Sequence, residues 1–130
     1  MDTKRFEELV RQAIDTLPDG FLQYMENVEV VVQRFPTRRQ LASVGLRSRY
    51  GLLGLYEGIP LTERGSAYSL HLPDKITIFH APIEAVCNDD AAISREVQDT
   101  VIHELGHHFG IGEDRMSELE TERDRKRESQ

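Results

Sequence analysis

The chain has 130 residues, 30% of them charged, and a formal net charge of −7. That length suits one domain with a single core, and the acidic balance argues against general nucleic-acid binding. No run of 18 or more apolar residues occurs, so no membrane-spanning helix is expected.

The N-terminal stretch lacks the apolar core of a signal peptide and opens an amphipathic helix instead. Phe6, Leu9, Val10, Ala13, Ile14 and Leu17 recur at helical spacing, which predicts a first helix from about Thr3 to Thr16. Pro18 stops it, and Pro-Asp-Gly opens a turn or short second helix through Phe21, Tyr24 and Met25. Val28 to Phe35 is rich in β-branched residues and ends at Pro36, which predicts a strand. Thr37 can cap a short helix through Leu41 to Val44, closed by Gly45. Between Glu29 and Glu57 there is no acidic residue, but five arginines occur: Arg34, Arg38, Arg39, Arg47 and Arg49. Such a patch can meet a phosphate, a carboxylate or a partner, although a run of this kind is more often a solvated face.

Leu52 to Glu57 reads as a second strand softened by Gly54. Ile59 to Pro73 reads as a long loop carrying Glu63, Arg64, Tyr68 and His71. Lys75 to His80 alternates as a third strand, which Pro82 ends. Asn88, Asp89 or Asp90 can cap the helix that follows. Beyond Asp114 only Met116 and Leu119 are apolar among charges, so residues 1–116 are expected to form the domain and 117–130 a charged tail, partly helical or disordered. Cys87 is the single cysteine, so no internal disulfide is possible, and a cytoplasmic setting is expected.

The stretch with most chemistry is Val101-Ile-His-Glu-Leu-Gly-His-His-Phe-Gly-Ile-Gly-Glu-Asp114. His103 and His107 are four apart, so on a helix about 40° separates them and both lie on one face. Two neutral imidazoles placed so can hold one Zn²⁺. Glu104 sits about 100° round from His103, beside the metal, where its carboxylate can take a proton from activated water. A catalytic zinc site needs a third protein ligand. Gly110 is suited to end the helix, and a turn there can bring Glu113 or Asp114 into reach. Val97, Val101, Leu105 and Phe109 form the opposite, apolar stripe; His108 lies on their side, as a packed residue or a support for the ligands.

On this H-E-x-x-H-x-x-G-x-x-E pattern, and on the segments Gly51–Gly58, Pro60–Gly65 and Leu72–Ile78, the chain resembles the small bacterial zincin-like metallopeptidases. The resemblance implies a single α+β zincin-like domain, with a small three- to four-stranded mixed sheet packed against the H-E-x-x-H helix and the N-terminal helix. One strand is expected to border the cleft, where an extended peptide can add by backbone pairing. It further implies His103 and His107 as metal ligands, Glu104 as catalytic acid/base and Glu113 at the third-ligand position. The commoner residue at that third position is Asp, and Asp114 stands next door as the alternative.

The expected activity is that of a zinc-dependent metallopeptidase acting on a peptide or protein substrate, with Glu104 as general base and then acid. Candidate oxyanion donors are Tyr56, Tyr68, His71 and His80. Two other classes compete. A small zinc endoribonuclease can use a His-x-x-x-His helix and would employ the arginine stretch, but generally lacks the Glu104 acid. A metal-binding or partner-binding protein would keep the site without turnover.

Overall fold

The computed structural model describes residues 1–58 and 72–129. The elements run α1 (Thr3–Asp15), α2 (Asp19–Leu22), a 3-10 turn (Gln23–Met25), β1 (Val28–Gln33), α3 (Arg38–Ser43), β2 (Gly54–Glu57), β3 (Asp74–Phe79), α4 (His80–Val86), α5 (Asp90–Phe109) and α6 (Glu113–Glu128). The long segment that carries Glu63, Arg64, Tyr68 and His71 lies outside the described residues.

The sheet has the order β1-β3-β2. β3 pairs parallel with β1, Val28 opposite Asp74, and antiparallel with β2, Gly54 opposite Ile78. The central strand is therefore covered on both faces, and Ile76, Thr77, Ile78 and Phe79 are all fully buried. Strand alternation divides them. Ile76 and Ile78 join the main core with Phe6, Leu9 and Ala13 of α1 and with Val97, Val101 and Leu105 of α5. Phe79 packs on the other side with Leu41, Leu52 and Leu55. The result is an α+β domain with a small mixed sheet, backed by the first helix and the motif helix, as expected.

Local signals explain most boundaries. The Asp2 carboxylate caps α1 at the Arg5 N–H, 2.8 Å away. Thr37 and Gln40 form a reciprocal capping box on α3. Asp89 caps α5 by accepting from the Ala92 N–H at 2.8 Å. A buried amide joins α1 to α5: the Gln98 side chain donates to the Ala13 carbonyl at 3.0 Å and to Thr16 Oγ1 at 2.8 Å.

Three features differ from the sequence expectation. Pro82 does not follow the strand as a breaker; it is the third residue of α4, in the first turn, where no intrahelical partner awaits its missing N–H. Phe109 does not complete the buried stripe, being 43% exposed while Val97, Val101 and Leu105 are fully buried. The charged C-terminal stretch is one continuous helix through Glu128. Leu119 is its anchor, fully buried in the main core, with Met116 packed beside it. Polar ties add to that anchor: Asp99 on α5 receives Arg123 at 3.2 Å and Arg127 at 2.8 Å, and Lys126 Nζ donates to the Leu17 carbonyl at 3.0 Å. Sparse apolar spacing gave only a partly helical expectation, because one buried leucine, a half-buried methionine and a few charge pairs hold the helix rather than a broad apolar face.

No described helix is long and apolar enough to cross a membrane. A Cβ at Gly20 would collide with the Leu119 side chain, so α2 and α6 meet in close contact there. Leu119→Ala is therefore expected to cost about 2–5 kcal/mol, as for other core leucines. Gly20→Ala should cost about 1–3 kcal/mol by overpacking the same contact. Urea unfolding checks both; changes within about 0.5 kcal/mol would show that α6 is not part of the core.

Candidate metal centre

His103 and His107 lie in the last two turns of α5, on its solvent side, with ring centroids 4.1 Å apart and planes at 57°. Both are exposed. The opposite side of the same turns is fixed by Val101 and Leu105, which are fully buried and set the rotation of the helix. Gly110 then adopts φ 61°, ψ 39°, the left-handed conformation that ends α5, and Gly112 begins the turn into α6.

Glu104 occupies a different environment from the histidines on either side. It is half-buried, and desolvation pushes its carboxyl above the usual glutamate range. The neighbouring imidazoles and a hydrogen bond from the Tyr56 backbone N–H act in the opposite direction. That N–H belongs to β2, an outer strand of the sheet. The strand can come so close because residue 54 is a glycine: a Cβ there would lie 2.5 Å from Thr100 Cγ2.

Two grooves open on the exposed face of α5. The first, about 480 Å³, is bounded by His103, Gly106, His107, Ile111, Glu113 and Met116. The second, about 420 Å³, is walled by Gly51–Gly54 and by Glu96, Thr100, His103 and Glu104. His103 and Asp99 border both, so the grooves meet at the motif. Met116 reaches the centre of the motif: a Cβ at Gly106 would lie 2.6 Å from its terminal methyl.

The pair His103 and His107 fits a zinc ion in donor type and in side-by-side placement. Glu113, in the first turn of α6, faces the same groove, whereas Asp114 does not line it. Among the described residues no three His, Cys, Asp or Glu side chains come close enough together to hold an ion. Glu113 is thus on the right wall without being gathered to the histidines.

The remaining candidates separate clearly. His108 stacks on Tyr56, with centroids 3.8 Å apart and planes at 13°, and its Nε2 lies 3.8 Å from Asp74 Oδ2. The Tyr56 hydroxyl donates to Asp74 Oδ2 at 2.6 Å. His80 is buried at the start of α4, stacked on Phe6 at 4.2 Å, and borders neither groove. Tyr68 and His71 lie outside the described residues. Sequence reasoning did not pick out Asp99 or Glu96, although their spacing of four and seven residues before His103 puts them on its face of the helix.

A solved structure described as a conserved hypothetical protein from Thermo thermophilus is similar to this chain, with a TM-score of 0.53 and 24% identity, covering 84% of this chain and 94% of its own. At that identity the likeness speaks for the fold. No curated protein matches the chain. A family profile described as zincin-like metallopeptidase matches residues 25–123, which takes in the sheet, both histidines and most of α6. The chain belongs to the zincin-like metallopeptidase family.

Proposed function

We propose that the protein is a zinc-dependent hydrolase that cleaves peptide bonds in a polypeptide substrate, with Glu104 as general base and then general acid. The observation that carries this reading is the contrast along one helical face. Two solvent-open imidazoles stand side by side, and between them in sequence lies a half-buried carboxylate close to the backbone of the adjoining strand. A metal-storage site would not require that carboxylate, because it need not be a ligand.

His103, His107 and Glu113 would hold the zinc, which when bound supplies a Lewis acid able to polarise a carbonyl and bring the pKa of water to about 7. Glu104 takes a proton from the attacking water as its oxygen bonds to the carbonyl carbon. It returns that proton to the amine nitrogen as the C–N bond breaks. Partial burial favours this second role, since a carboxyl raised above its usual range holds a proton more readily. Gly51–Gly54 and the outer strand β2 offer an extended substrate a wall beside Glu104. The proposed setting is the cytoplasm, with a polypeptide as partner.

Metal analysis tests the ligands. The wild-type protein is expected to bind about one zinc per chain, and His103→Ala or His107→Ala to lose most of it, because two remaining ligands compete poorly with buffer. Glu113→Ala should weaken zinc binding more than Asp114→Ala. Full occupancy in the His107→Ala protein would overturn the ligand assignment, and a loss confined to Asp114→Ala would move the third ligand by one residue.

The Glu104→Gln variant tests the chemistry. It preserves size and polarity but cannot accept the proton. Zinc content is expected to survive while chelator-sensitive peptide hydrolysis falls by roughly 10²- to 10⁴-fold. Hydrolysis that persists in this variant would remove Glu104 from the mechanism.

A further inference from the structure

The proposed hydrolysis makes no use of the basic segment between β1 and β2. Arg34, Arg38, Arg39, Arg47 and Arg49 are all exposed, and no carboxylate pairs with any of them among the described residues. Elsewhere Arg5, Arg115, Arg123 and Arg127 each pair with Asp or Glu, while Arg11, Arg95 and Arg125 stand singly, one to a helix, rather than in a run. The Arg49 guanidinium lies 3.8 Å from the Phe35 ring centroid, which draws the end of the loop against the end of β1. The Leu46 N–H donates to the Leu41 carbonyl at 2.9 Å and holds the loop against α3. Tyr50, 50% exposed, meets Phe35 edge-on at 5.3 Å.

We propose that this surface is a docking site for an acidic polypeptide segment, placed where the docked chain continues into the cleft. Tyr50 is followed directly by Gly51, and Gly51–Gly54 wall the groove that ends at His103 and Glu104. Guanidinium groups recognise carboxylates with two parallel hydrogen bonds, and five of them without lysine suit a run of Asp or Glu side chains. A protein segment is favoured over a nucleic acid because the chain as a whole carries −7. A long polyanion leaving the patch would meet the Glu96 and Asp99 carboxylates in the groove, whereas a polypeptide can be acidic only where it touches the arginines. That the docked chain is a substrate rests on the peptidase reading; the docking itself does not.

The test uses zinc-loaded full-length Glu104→Gln protein, so that bound peptide is not consumed. Fluorescence anisotropy compares a labelled Asp/Glu-rich peptide, its Asn/Gln counterpart and oligo-uridine RNA. The acidic peptide is expected to bind at least about tenfold more tightly than the neutral one and to weaken steeply with added salt. Combined Arg38→Glu and Arg39→Glu should abolish that preference without lowering thermal stability, since neither side chain is bonded among the described residues and acidic groups suit the first turn of α3. Arg49→Ala, which removes the stacked cation, should reduce it in an independent background. Equal binding of acidic and neutral peptides, binding of neither, a preference for oligo-uridine, or binding that survives both arginine variants would each overturn the proposal. If the wild-type enzyme cleaves no peptide while the binding pattern holds, the peptidase reading falls and the docking site stands.

Discussion

The site depends on how closely the outer strand of the sheet approaches the motif helix. That distance is set at Gly54, where any side chain would press on Thr100 and on the Thr77 carbonyl of the central strand. The contact brings a backbone donor of β2 to Glu104 and removes part of the water around its carboxylate. A histidine pair on an isolated helix would be a weak chelator with an ordinary glutamate between its members. Packed against β2, the same turn of helix presents two exposed imidazoles and one partly desolvated acid.

The motif helix is asymmetric for the same reason. Its inner side contributes Val97, Val101 and Leu105 to the main core, all fully buried, so the helix cannot rotate without opening that core. Its outer side therefore presents a fixed row of Glu96, Asp99, His103 and His107 along two joined grooves. Asp99 also holds α6 through two arginines. The far wall of the first groove, with Glu113 and Met116, thus stands on a helix tied to the histidine-bearing helix by Leu119 below and ion pairs beside it. Stability and site geometry share these contacts.

Much of this was legible in the residues because the signals were local. Helical periodicity marked α1, Thr37 and Gly45 bracketed α3, and one of three adjacent polar residues capped α5. The spacing of His103, Glu104 and His107 gave their relation on one turn of helix without any tertiary information. What escaped was set by contacts between distant segments. Pro82 looked like a terminator because its tolerance in a first helical turn depends on where the helix begins. The α6 helix looked only partly helical because one leucine in a charged run carries little periodic signal, yet Leu119 finds a fitted place opposite Gly20. The support of Glu104 by the Tyr56 N–H was invisible, since a backbone donor leaves no mark on residue identity. The opposite error, placing Phe109 on the buried stripe, came from extending the period past the end of the core.

The parallel pairing of β1 with β3 has a consequence for the order in which the molecule assembles. Val28 must wait for Asp74, and the Ala13 carbonyl waits for the Gln98 amide, 85 residues later. Neither the sheet nor the cover of α1 can close by local contacts, so both carry the loop-closure entropy of a long chain segment. As a nascent chain, the first half has an apolar helix face and a valine-rich strand with nothing to cover them. The strand then finds β3, and the segment that finally covers the helix face is the helix bearing the histidines. Collapse of the core and creation of the histidine-bearing face are then a single event, and a chain that presents this face is one that has already folded.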